Sequence, residues 1–281
     1  MAAVRSSTIE YMKIQKAIIP VAGWGTRMLP ITKSIEKCML PIGNRPIIDY
    51  VVQDCIDAGI NDIYFVVGEQ STQIQNYYRS NIQLNDYLKR NGKDDKLPLV
   101  APIKGVNFHF IVQPSQGKYG TAVPVSLVNE YINEGELVAV VTGDDFVYST
   151  DGVNNIKQLL DAAGDHGAML GVNVPREDVS NYGVLDLDDQ GHYRKIVEKP
   201  TVEQAPSTLI NISKYVLPKS AIAAAVTVGI NPTRGEYEIT DVINQYVQQG
   251  GSLRVVEAQG EYLDGGTVKG WLHANNVVVG E

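Results

Sequence analysis

Lys16-Ala17-Ile18-Ile19-Pro20-Val21-Ala22-Gly23-Trp24-Gly25-Thr26-Arg27-Met28-Leu29-Pro30 joins a short apolar run to a glycine loop. The run Lys16–Ala22 has the length and punctuation of a strand. In open α/β sheets ligands sit beyond the carboxyl ends of strands, so the loop that follows is a candidate substrate site. Gly23 and Gly25 let the backbone approach phosphate oxygens and offer N–H donors. Arg27 adds a planar cation suited to phosphate. A Gly-x-Gly pair alone fits a plain strand-to-helix turn equally well. It is not a phosphate-binding Walker loop, because no Gly-Lys-Ser/Thr follows. Nor is it a dinucleotide fingerprint, since the third glycine is missing and Pro30 obstructs an immediate helix.

Outward from this loop, apolar runs alternate with helical spacing. Ile47–Ala58 predicts a helix ending at Gly59, Asp62–Gly68 a strand, and Gln73–Tyr87 a helix. The charged, proline-containing stretch Asn91–Lys104 reads as a loop or lid. Val106–Gln113 and Leu137–Gly143 read as strands around a helix from Gly120 to Tyr131. This rhythm predicts an α/β fold, a Rossmann-like, mostly parallel sheet flanked by helices. After a helix at Val153–Ala163 and an apolar run at Ala168–Val174, a hairpin is expected: Gly183–Leu187, a turn at Asp188–Gly191, and Tyr193–Glu198. That hairpin marks an inserted β-rich lobe. Asn211–Leu217 reads as a strand, and Ile222–Thr227 and Thr240–Gln248 as helices. Leu253–Glu257 is expected to begin a final strand pair, with a last helix from about Val268.

Among 281 residues, 24 Lys and Arg stand against 32 Asp and Glu, a net charge of −8. An acidic chain without basic blocks argues against nucleic-acid binding, which relies on cations over phosphates. It leaves room for one nucleotide, which a few placed cations can hold. The two cysteines, Cys38 and Cys55, cannot build a disulfide framework and read as reduced core residues of a cytoplasmic protein. No apolar run reaches membrane-spanning length, so no membrane partner is expected. The four histidines lack metal-ligand spacing, and no zinc is implied.

Further candidates lie at strand ends. Gln113 begins Gln113-Pro114-Ser115-Gln116-Gly117-Lys118-Tyr119-Gly120, and its adjacent donor and acceptor match the edge of a pyrimidine. Gly143-Asp144-Asp145 ends a very apolar strand, where a carboxylate beside a triphosphate loop suits Mg²⁺; it is also ordinary turn chemistry. Asp264 in Tyr262-Leu263-Asp264-Gly265-Gly266 is a second strand-end aspartate. Glu198-Lys199, near Tyr182-Gly183-Val184 across the hairpin, can accept from sugar hydroxyls and hold a phosphate.

Val21-Ala22-Gly23-Trp24-Gly25-Thr26-Arg27-Met28-Leu29-Pro30, with Thr32-Lys33 and Glu36-Lys37-Cys38-Met39-Leu40-Pro41, resembles the signature of sugar-1-phosphate nucleotidylyltransferases. It looks closest to the bacterial UTP–glucose-1-phosphate uridylyltransferases, and the likeness extends from Lys16 to Ala274. The resemblance implies one nucleotidylyltransferase domain over 14–281, after a flexible extension at 1–13. It implies Arg27, Lys37 and Lys199 as catalytic cations, and Ala22, Gly23, Gly25, Thr26, Gln113 and Gly120 around the nucleotide. Gly183, Glu198, Lys199 and Lys269 would face the sugar, with Asp144 and Asp264 holding Mg²⁺. The segment Arg234–Asp241 matches a family stretch and is expected to be structural. The opening Gln113-Pro114-Ser115 looks more like thymidylyltransferases, whereas Gly120-x-Ala122-Val123 and Lys269 look uridylyl-like. Ser213 departs from the pattern, since relatives usually carry glycine there. The implied reaction is UTP plus glucose 1-phosphate to UDP-glucose and pyrophosphate, by a homo-oligomer. Alternatives are a thymidylyl- or cytidylyltransferase, or a silent subunit that binds nucleotide sugars.

Overall fold

The computed structural model describes residues 14–280; the extension expected at 1–13 lies outside them. The first half runs β1 (Lys16–Pro20), a hairpin of β2 (Pro41–Ile42) and β3 (Arg45–Pro46), and α1 (Ile47–Asp57). It continues through β4 (Asp62–Gly68), α2 (Gln73–Tyr78), α3 (Ile82–Arg90), β5 (Asn107–Gln113), α4 (Ala122–Val128) and β6 (Leu137–Val141). The second half runs β7 (Asp145–Tyr148), α5 (Asn155–Ala162), β8 (Ala168–Asn173), β9 (Gly183–Leu187), β10 (Tyr193–Glu198) and β11 (Leu209–Pro218). It ends with α6 (Lys219–Thr227), α7 (Ile239–Gln248), β12 (Arg254–Glu257), β13 (Glu261–Asp264) and α8 (Val268–Val279).

Strand β1 pairs in parallel with β4 on one side and β6 on the other, and β4 pairs in parallel with β5. The spatial order β5-β4-β1-β6 means that the chain builds outward from β1, then crosses back to β6 on its other side. Between β1 and β6 the winding reverses, and a crevice opens at their carboxyl ends. Beyond β6 the sheet becomes antiparallel through β11, which also contacts β8 and β9; β12 joins β8 in parallel and β10 joins β9. The mixed, mostly helix-flanked sheet agrees with the fold expected from the alternation of elements. The β9–β10 hairpin is read correctly too, its turn held by Asp188 Oδ1, which accepts from the Gln190 and His192 N–H groups at 2.9 Å each.

Burial on both faces explains the near-continuous apolar strands. Successive residues of β1 point to opposite layers: Ile19 packs with Phe65, Val67 and α1, while Ile18 packs with Val66, α4, α6 and α7. The helical patterns of α1 and α7 in the sequence are the stripes that cover these two faces.

Three expectations need correction. The single helix expected over Gln73–Tyr87 is two, because Arg79 is extended and Asn81 starts a new helix, its Oδ1 accepting from Leu84 N–H at 3.0 Å. Asn is a favoured N-cap, and here the cap overrides the continuous periodicity. The loop at Asn91–Lys104 contains a 3-10 segment, Asp94–Val100. The final strand pair does not form: β12 pairs with β8, and β13 pairs antiparallel with β7, a strand the sequence reading did not include. Among the described residues no helix is long and apolar enough to cross a membrane.

Cys38 and Cys55 are both free and buried. Burial pushes the Cys55 thiol up to about 12 and raises Cys38 further. Both should therefore stay as unreactive thiols while the fold is intact. A chromogenic disulfide reagent should react slowly with native protein and titrate both thiols at once in urea. Rapid native reaction would contradict this packing.

Candidate active site

The glycine loop leaves β1 at the crevice. Gly25 is left-handed (φ 62°, ψ 33°) at the head of a 3-10 turn, Thr26–Met28. A Cβ there would lie 3.0 Å from Thr32 Cγ2 and 3.1 Å from Lys37 Cβ, so both backbone shape and close packing require glycine. Thr32 Oγ1 donates to Gly25 O at 2.9 Å and fastens the loop to the lysine segment. Gly23, by contrast, has open space where a side chain would project. A cavity of about 240 Å³ is lined here by Gly23, Gly25, Thr26, Arg27, Lys37 and Asp144.

Around it the charges converge. Lys37 Nζ forms an ion pair with Asp144 Oδ2. Burial alone would raise the Asp144 carboxyl, but the Lys37 ammonium, with help from Lys214 and Arg27, holds it below the usual carboxylate value. Gly265 N–H donates to Asp144 O at 3.0 Å, and Gly266 N–H donates to Asp264 Oδ1 at 2.7 Å. A Cβ on Gly266 would meet Asp264 Oδ1 at 2.6 Å, Lys37 Nζ at 3.0 Å and an Arg27 guanidinium nitrogen at 3.1 Å. Side chains from the glycine-loop segment, Arg27 and Lys37, thus meet the end of β13 at one glycine. Among the described residues no group of three or more His, Cys, Asp or Glu forms a cage. The two strand-end aspartates carry hard oxygen donors, the kind that a divalent cation accepts together with phosphates and waters.

A second cavity of about 310 Å³ adjoins the first, sharing Val21, Gly23, Trp24, Lys37 and Tyr119, and adds Ala22 and Gln113. Gln113 is only 7% exposed, yet its Oε1 has no hydrogen-bond partner. Buried amides are normally satisfied, so this unpartnered oxygen at the cavity wall is an exception within the fold. Glu36 braces the rim by accepting from Ser71 Oγ at 2.6 Å, Gln73 N–H at 2.8 Å and Thr72 N–H at 3.1 Å. Gly120 lines neither cavity. Its φ of 129° and a Tyr237 carbonyl 2.3 Å from any added Cβ make it a packing glycine against the following segment.

On the sugar side, Gly183 pairs with Glu198 across β9 and β10, and a Cβ on Gly183 would lie 3.2 Å from Glu198 Oε1. Lys199 follows with a left-handed backbone (φ 45°), its N–H donating to Tyr182 O at 2.9 Å. Burial pushes the Tyr182 phenol up, and the Asp264 and Asp178 charges add to it. Glu198 is held by Arg234 at 2.7 Å, so the segment expected to be structural sends a side chain to the sugar-side glutamate. Neither cavity includes Gly183, Glu198, Lys199, Asp264 or Lys269 in its lining, and Lys269 is exposed on the first turn of α8. Ser213 is left-handed (φ 53°) at a register shift in β11, its N–H donating to Asn211 Oδ1 at 3.1 Å. That conformation accounts physically for glycine as the more comfortable residue there. The sequence reading missed Lys214; its one signal was a charge inside the apolar stretch Asn211–Leu217.

Residues 16–280 match the nucleotidyl transferase family. The chain belongs to it. A Methanocaldococcus jannaschii protein, named provisionally as a UTP–glucose-1-phosphate uridylyltransferase, is 38% identical over 93% of this chain and 92% of its own. The UTP–glucose-1-phosphate uridylyltransferase YngB of Bacillus subtilis is 35% identical over 83% of this chain and 79% of its own. The solved UTP-bound UGPase from Acinetobacter baumannii superposes with a TM-score of 0.83 at 29% identity, covering 94% of this chain and 93% of that one.

For a nucleotidyl transferase built this way, Gly266→Ala should push apart Asp264, Lys37 and Arg27 without straining the backbone. Nucleotidyl transfer should fall by roughly 10²-fold, as for loss of other preorganised charge contacts, with the melting temperature little changed. A variant of normal activity would mean that these groups need not converge.

Proposed function

We propose that this chain transfers the uridylyl group of UTP to glucose 1-phosphate, releasing UDP-glucose and pyrophosphate. The observation that carries the reading is the meeting of Arg27, Lys37 and Asp264 at Gly266, beside Asp144, in the crevice between β1 and β6. Such a site suits in-line phosphoryl chemistry and lacks a nucleophile–base pair of the acyl-transfer kind. An oxygen of the sugar phosphate attacks the α-phosphorus; the new P–O bond replaces the one to the leaving pyrophosphate. A phosphate dianion needs no general base, so catalysis rests on positioning and charge neutralisation.

Arg27 and Lys37 hold the triphosphate, with the loop N–H groups of Ala22, Gly23, Gly25 and Thr26 around it. Lys199 holds the sugar phosphate, and Glu198, Gly183 and Lys269 shape the sugar side. Asp144 and Asp264 would hold a Mg²⁺ ion, which when bound neutralises phosphate charge as the α-phosphorus is attacked. Lys37 pairs with Asp144, so its ammonium stands beside the carboxylate and within the cavity that would take the phosphates. Gln113 lines the second cavity and reads the base through its side-chain amide, and Gly120 shapes that loop from behind. The relatives named above favour uracil over the thymidylyl and cytidylyl alternatives, and the intact cations and carboxylates speak against a silent subunit. The reading extends to a cytoplasmic enzyme with reduced cysteines, and to a homo-oligomer using apolar surface such as Val268, Leu272 and Val279 on α8.

Asp144→Ala and Asp264→Ala should each lower turnover by roughly 10²-fold or more, since both the cation and its charge complement are misplaced. Near-normal turnover of both at saturating Mg²⁺ would remove the assignment.

Pyrophosphate release from a panel of triphosphates tests the base. Uracil and thymine share the edge that Gln113 faces, and a methyl group is discriminated by only about 1–3 kcal/mol. Cytosine reverses donor and acceptor and leaves a buried amide unpaired. The expected order of kcat/KM is UTP, then dTTP, then CTP far behind. CTP equal to UTP would overturn the role given to Gln113.

A further inference from the structure

Beneath the site lies a buried charge cluster that lines neither cavity. The side chains of Lys214 and Asp145 are only 4% and 8% exposed. Lys214 Nζ donates to Asp145 Oδ1 at 2.7 Å, and to Asp145 O and Thr142 Oγ1 at 3.1 Å each. Thr142 Oγ1 donates to the same carboxylate oxygen. Tyr262 OH donates to the other, Asp145 Oδ2, at 2.7 Å. The carboxylate is therefore saturated from within the fold. A buried ion pair is weak support for a stability role, because apolar residues of similar volume often serve as well or better.

Its connections suggest what it does instead. The Thr142–Asp145 bond closes the short turn that carries Gly143 and Asp144 between β6 and β7. Tyr262 lies on β13 two residues before Asp264, and Asp264 is itself in register with Asp145. Gly265 N–H to Asp144 O completes the bracket at 3.0 Å. One buried carboxylate thus ties together the two backbone segments that present Asp144 and Asp264.

We infer that Lys214, Asp145 and Tyr262 form a positioning unit that fixes the spacing of the Asp144 and Asp264 carboxylates and so sets the site's affinity for a divalent cation. The inference rests on the metal role proposed for those two aspartates. Mg²⁺ demands near-ideal octahedral geometry, and sites of this kind tolerate displacements of only about 0.5 Å. Residues that never touch the ion can therefore control it, as supporting partners do in other metal sites.

Mn²⁺ is the probe, with the free ion measured by electron paramagnetic resonance in the presence of UTP. Tyr262→Phe removes only the hydroxyl. The double variant Asp145→Leu with Lys214→Met removes both buried charges together. Each should weaken Mn²⁺ binding threefold or more and lower kcat, while KM for glucose 1-phosphate stays within twofold. Lys214→Arg, which keeps the charge, should recover part of the affinity lost in Lys214→Met. Should the double variant fail to fold, Tyr262→Phe decides alone. A lower melting temperature for Tyr262→Phe with Mn²⁺ affinity changed less than threefold would overturn the inference. Unchanged Mn²⁺ affinity in Asp144→Ala and Asp264→Ala would overturn the metal assignment itself and this inference with it.

Discussion

The parallel pairing of β1 with β6, Ala17 beside Ala139 and Ile18 beside Val140, is the constraint on which the site depends. It sets the carboxyl end of the strand that delivers the glycine loop next to the carboxyl end of the strand that delivers Asp144. Between these two parallel neighbours the winding reverses, and there the strand ends diverge into a crevice. The apolar faces of Ile18 and Ile19, buried in opposite layers, hold this pairing in place. A ligand held at those ends therefore rests on a strand whose Ala17, Ile18 and Ile19 are fully buried.

Electrostatics then divides the site into two tiers. In the crevice, Lys37 and Asp144 compensate each other while remaining partly exposed. Below, Lys214 and Asp145 compensate each other permanently, out of reach of solvent. The upper pair is reachable from the cavity, whereas the lower pair is closed off within the fold. Adjacent residues in sequence, Asp144 and Asp145, thus take opposite roles because the strand turn sends their side chains into different dielectric surroundings.

The sugar side is linked to the base side through Arg234, which reaches Glu198 at 2.7 Å and Glu238 at 3.6 Å. Glu238 is buried and accepts from Thr121 Oγ1 at 3.0 Å, immediately after Gly120 in the loop that follows Gln113. The end of β10 and the loop that follows Gln113 are thus both fastened to one segment, 234–238. The left-handed backbones of Lys199 and Ser213 lie on this same side, where conformations unfavourable to ordinary residues are retained by the surrounding pairing.

By itself the sequence determined the alternation of strands and helices, the β9–β10 hairpin and the signature residues of the glycine loop, because periodicity, turn chemistry and short motifs are local properties. It also singled out Asp144 and Asp264, which stand at recognisable strand ends. Only the tertiary structure decided that β13 pairs with β7 and not with β12, and hence that Asp264 lies across from Asp145. The break between α2 and α3 was likewise hidden, since the apolar spacing runs through it and a capping asparagine decides. Gly120 could be recognised as special, but the Tyr237 backbone that makes it so is over a hundred residues away in a numbering that gives no hint of contact. The same holds for Lys214 and Asp145. A charge in an apolar strand signals only that a partner must exist, and the identity of that partner is fixed by sheet pairing, a long-range outcome of packing that no local pattern encodes.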